Sequence, residues 1–154
     1  MSILCEALRW LTVVALGLYA GAMLTEGGVL VPFWRSLPPT EFLRWYAANA
    51  DRLNSFFGSL TMAAGVLALL AAAGSLWEGQ AGRWWSVAAA LVMLAIVAGY
   101  FVYFEHANAS FATGTIALAA VPTELARWGA FHHTRSAVSV LAFCAALLAA
   151  RQSA

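Results

Sequence analysis

The residues able to do chemistry crowd into one stretch of this chain, Phe104 to Ser136. It holds all three histidines, His106, His132 and His133, together with Glu105, Asn108, Trp128 and Arg135. A histidine within hydrogen-bond reach of an acidic C–H or O–H can act as a general base. Arg135 and Asn108 are donors suited to hold the anion that results, because fixed donors act strongly on developing charge in a dry site. Adjacent histidines on a helix point in different directions, so at most one of His132 and His133 faces inward. His132 shares a face with Trp128, Arg135 and Ser136, and His133 with Gly129 and Ala137. The helix phase decides which is the base.

The same residues allow a second chemistry. His106, one of His132 and His133, and Glu26 or Glu105 make a two-histidine, one-carboxylate set that suits non-haem iron or another transition metal. The sequence has no HxxxH and no ExxH, so such ligands would have to come from separate helices. A third reading is a polar cap where helix ends meet water.

The elements that must position these residues are apolar. Of 154 residues, 63% are hydrophobic and 10% charged, and the mean hydropathy is +0.80. Soluble domains carry about 25% charged residues. A chain this short cannot hide so much apolar surface from water, so its solvent is lipid and its place a cell membrane. Net charge is +1, which leaves no electrostatic footprint for nucleic acid. Every Lys/Arg position is Arg, and the Lys-free, Ala-rich composition suggests a bacterial inner membrane. Cys5 and Cys144 form no CxxC and are expected to be small buried side chains.

Four apolar runs, at about 8–33, 55–77, 84–104 and 133–150, match the ~20 residues that cross a bilayer. The first is too long and glycine-spotted for a cleaved signal peptide. The fourth is short and can begin as early as Leu125. The turn Glu78-Gly79-Gln80-Ala81-Gly82 makes runs two and three antiparallel neighbours. The expected fold is one all-α domain, an integral membrane four-helix bundle over 1–154. Thr40 to Leu53, where Phe42, Trp45 and Tyr46 alternate with Glu41, Arg44 and Asp51, reads as an amphipathic helix on the membrane surface. Gly17, Gly21 and Gly28 offer a small-residue face for a homo-oligomer.

This topology puts both termini on one side of the membrane, the terminal face, and the two long connections on the other, the loop face. Glu26, Asn54, Glu105, His106, Asn108, His132, His133 and Arg135 then converge at the loop-face mouth of the bundle. Glu26 stands out, since a carboxylate inside a span normally faces a bundle interior or water. It shares a helical stripe with Tyr19, Ala22 and Met23. At the terminal face Glu6, Arg9, Glu78, Arg83 and Arg151 read as flanking charges. The arginine count favours a cytoplasmic loop face by a narrow margin.

At these residues the chain resembles the anthrone-oxygenase-like family of small four-span membrane proteins, over almost its whole length. The resemblance rests on the glycine-spotted first run ending Val31-Pro32-Phe33, on Leu37-Pro38-Pro39, on Asn108 after the third run, and on Trp128, His132-His133 and Arg135 before the fourth. The chain departs from the family at Phe104-Glu105-His106, where relatives carry a proline, and in its doubled histidine. The resemblance implies oxidation of an apolar aromatic or quinone-type molecule by molecular oxygen, without flavin or haem. It further implies a base at His132 or His133 and anion stabilisers at Arg135 and Asn108, with Glu26, Asn54, Glu105, His106 and Trp128 around the substrate. The rival from another class is a non-catalytic small-molecule binder, carrier or helper subunit.

Overall fold

The computed structural model describes residues 2–152. Among them four helices are long and apolar enough to cross a membrane: α1 (Ile3–Ser36), α2 (Pro39–Trp77), α3 (Arg83–Thr113) and α4 (Leu118–Arg151). They pack as a ring in chain order, with α1 against α2 and α4, and α3 against α2 and α4. The expected all-α four-helix bundle is what the chain forms.

The helices outrun the spans read from hydropathy. At 1.5 Å per residue, α2 with its 39 residues is about 58 Å long, against a hydrocarbon core of ~30 Å. The excess lies at the loop face. The segment 40–53 is helical as expected, but it is the first part of α2 and not a separate element. Asn54 and Ser55 contain no proline or left-handed residue to break the chain, so the helix runs on into the span. Likewise the expected loop after the third run is mostly helix. It ends at Gly114, whose φ of 64° supplies the left-handed C-cap, and after a short 3-10 turn the α-helical part of α4 begins at Val121 with Pro122 in its first turn.

Two cores fill the bundle. One, within the four apolar runs, is built largely from alanines, including Ala64, Ala68, Ala89, Ala142 and Ala146, around Leu16, Tyr19, Met23 and Met93. Small residues let helix backbones approach where lipid offers no hydrophobic drive for association. The loop-face core is aromatic: Trp34, Phe42, Tyr46, Phe104, Phe111 and Trp128. Their rings meet edge to face, Trp34 on Trp128 at 5.5 Å and Phe42 on Phe111 at 5.1 Å. Phe42 and Tyr46 are therefore core residues and not membrane-surface anchors.

Three smaller expectations need correction. Gly17 makes room for Phe143 of the same chain, since a Cβ there would sit 3.2 Å from the ring; only Gly21 and Gly28 face open space. Arg9 is 3% exposed, so it is no flanking charge. Cys5 is buried as expected, but Cys144 is exposed.

The two π-helical turns among the described residues lie beside the predicted mouth, at Glu26–Leu30 in α1 and Tyr100–Phe104 in α3. In α1 the cause is legible. Pro32 has no N–H and its ring crowds the carbonyl four residues back, at Gly28. A wider turn relieves that crowding, and the Val31 N–H bonds to the Glu26 carbonyl instead.

Candidate functional site

The centre of the site is a buried triad from α1 and α4. Arg135 Nη2 lies 3.0 Å from Glu26 Oε2 and 2.7 Å from His132 Nδ1. The two hydrogens of Nη2 are thereby both engaged. His132 Nε2 lies 2.9 Å from the Met23 carbonyl. A carbonyl only accepts, so Nε2 carries the ring proton and Nδ1 accepts from the guanidinium. Ser136 Oγ, one turn on, donates to the carbonyl of His132.

Aromatic planes hold this triad in place. The Trp128 indole stacks on the His132 ring at 5.1 Å and 9°. Its Nε1–H donates to Asn108 Oδ1 at 2.9 Å, which ties α4 to α3. The Arg135 guanidinium lies 4.2 Å from the Phe104 ring, the last residue of the α3 π-turn. Cation–π contacts of this kind gain from desolvation. Gly27 closes the other side, because a Cβ there would meet His132 Nε2 at 3.1 Å.

Beside the triad lies a cavity of about 410 Å3 between α1, α2 and α3. Its wall is mainly apolar, with Met23, Phe57, Ile96 and Phe101. The polar groups on it are Glu26 and Arg135, the tyrosines Tyr19, Tyr46 and Tyr100, and Asn54, Asp51, Glu105, Asn108 and Thr61. Such a volume and such a lining suit a small apolar molecule with a few polar anchors. Glu26 Oε2 is spent on Arg135. Oε1 makes no hydrogen bond among the described residues and is not sealed from the surroundings. On Arg135, Nη2 is spent, Nε is buried without an acceptor, and Nη1 has no acceptor among the described residues. One carboxylate oxygen and one guanidinium nitrogen of these two cavity-lining residues are therefore left without a hydrogen-bond partner among the described residues.

The structure thus gathers Glu26, Asn54, Glu105, Asn108 and Arg135 on one cavity wall. His132 and Trp128 stand behind that wall, His132 being 0% exposed. His133 and His106 are exposed and lie outside it. Of the two histidines expected to offer a base, His132 has its ring nitrogens engaged with the Met23 carbonyl and Arg135 Nη2, and His133 is not among the residues lining the cavity. Nor is the metal alternative assembled, because no three His, Cys, Asp or Glu side chains come together among the described residues. Sequence reasoning missed Tyr46, Tyr100, Thr61 and Asp51. Their only signal was helix phase along α2 and, for Tyr100, the π-turn of α3 in which it lies. No protein-family model, curated protein or solved structure matches the chain.

Proposed function

We propose that this is an anthrone-oxygenase-like enzyme of the bacterial inner membrane, acting on an apolar aromatic substrate with an acidic C–H. The observation that carries the reading is the Glu26–Arg135 pair on the wall of a mainly apolar cavity. Glu26 Oε1 takes the proton from the substrate's activated CH2, and Arg135 Nη1 holds the oxyanion that forms as charge moves to the carbonyl. His132, held by Trp128 and Met23, fixes the guanidinium and is a positioning residue.

The rest of the reaction balances on the substrate and oxygen alone. The carbanion carbon forms a C–O bond with O2, and a proton completes the hydroperoxide. Loss of the second C–H proton breaks the O–O bond, leaving a carbonyl and releasing water. The CH2 carbon gives up four electrons and O2 accepts four. The chain's residues supply one base, one anion holder and a dry wall.

The test is oxygen uptake by purified protein in liposomes with anthrone as the probe substrate. One O2 consumed per anthraquinone formed, with one oxygen of labelled O2 in the product, supports the reading. Tight binding of anthrone with uptake no faster than in empty liposomes would make the protein a binder instead.

A further inference from the structure

We infer that the cavity is filled from the bilayer, through a side doorway between α2 and α3 whose threshold is Gly58. This rests on the reading that the cavity takes an apolar molecule, and adds where that molecule comes from and which residues select it. Met62 on α2 and Phe101 on α3 line the cavity. Yet they are 60% and 63% exposed, far more than a side chain enclosed within the bundle. Side chains that belong to both surfaces frame an opening. Gly58 lies one turn from Met62 and also lines the cavity. A Cβ built on it meets only Asn54 Oδ1, at 3.9 Å. The gap exists because that side chain is missing.

The surroundings of the doorway say what passes through it. Phe56 and Val102, at the same level of the two helices but on other faces, are 60% and 84% exposed. Apolar side chains this exposed on a spanning helix face hydrocarbon. Toward the loop face the Tyr100 hydroxyl reaches Asn54 Oδ1 at 3.5 Å and bridges the same two helices. A molecule dissolved in the bilayer therefore meets Gly58, Met62 and Phe101 first, and Glu26 and Arg135 after. The substrates selected are sparingly soluble molecules that partition into lipid, narrow enough to pass between two helices.

The variant that tests this should fold well, since Gly58→Leu puts its side chain into open space and replaces a poor helix former. Two readouts are needed in proteoliposomes. The first is anaerobic binding of anthrone to wild type and Gly58→Leu, with thermal unfolding of both. The second is spin labelling of Met62→Cys and Phe101→Cys in a Cys144→Ala background, with collision rates against oxygen and a water-soluble nickel chelate. The doorway requires Gly58→Leu to weaken anthrone binding about tenfold or more at undiminished stability. It also requires the labels to collide mainly with oxygen. Wild-type affinity in Gly58→Leu overturns it, as do labels relaxed mainly by nickel. If wild type itself binds no anthrone, the functional reading fails, and the label accessibilities alone decide the doorway.

Discussion

Removing Arg135 tests the triad through its energetics. The Glu26 and Arg135 side chains are 6% and 13% exposed and 3.0 Å apart. Arg135→Met keeps much of the apolar contact over Phe104 but strands a carboxylate beside His132. Breaking a buried pair in this way costs about 3–5 kcal/mol. Glu26→Gln strands the guanidinium instead and should cost about as much, less whatever hydrogen bonding the amide recovers. The double variant removes both charges together, so it should be more stable than the sum of the singles by about 2 kcal/mol or more. Reversible unfolding in mixed detergent–SDS micelles, followed by circular dichroism, measures all three. Singles that add within about 0.5 kcal/mol would refute the coupling and the geometry behind it.

Other perturbations follow from the same packing. Gly27→Ala should cost about 1–3 kcal/mol, because its methyl would press on the His132 ring. Gly28→Ala, with open space around it, should be neutral or stabilising in the same unfolding assay. Trp128→Phe keeps a ring on His132 but loses the bond to Asn108, which should cost about 1 kcal/mol. Asn108→Ala should add little on top of it. At the terminal face, Glu78 accepts from the Ser2 hydroxyl and from Gln80 Nε2, and the Ser2 bond holds its carboxyl below the usual range. A depressed carboxyl stabilises the fold above its ordinary value, and that contribution is lost as pH falls through the depressed one. Hydrogen exchange in the first turn of α1, corrected for intrinsic rate, should therefore speed up below the ordinary carboxyl range in wild type. In Glu78→Gln it should not change there.

The bundle was legible because its evidence is compositional. Four apolar runs joined by one tight turn leave few alternatives, while the stripe Tyr19, Met23, Glu26 left the carboxylate open to a bundle interior or to interfacial water, and it lies on the cavity wall. Arg135, Asn54, Glu105 and Asn108 were also legible, since antiparallel spans must bring those ends together. What hydropathy could not give was the length of the helices beyond the lipid. Phe42 and Tyr46 look like interfacial residues until Trp34 and Phe111 are seen to cover them. Nor could it give the phase of α4, which buries His132 and exposes His133. That phase is set by contacts far apart in sequence, chiefly His132 with Met23 and Trp128 with Asn108. Histidine drew attention as the usual base, but a ring nitrogen already bonded to a guanidinium has no lone pair to offer. The carboxylate beside it has.

The central claim is that Glu26, and not a histidine, moves the proton. The direct test is anthrone turnover in liposomes by Glu26→Gln beside His133→Ala, with circular dichroism confirming that both are folded. The account predicts a loss of about a hundredfold or more for Glu26→Gln, and wild-type turnover for His133→Ala. Wild-type turnover in Glu26→Gln, or a loss of that size in His133→Ala, would contradict it.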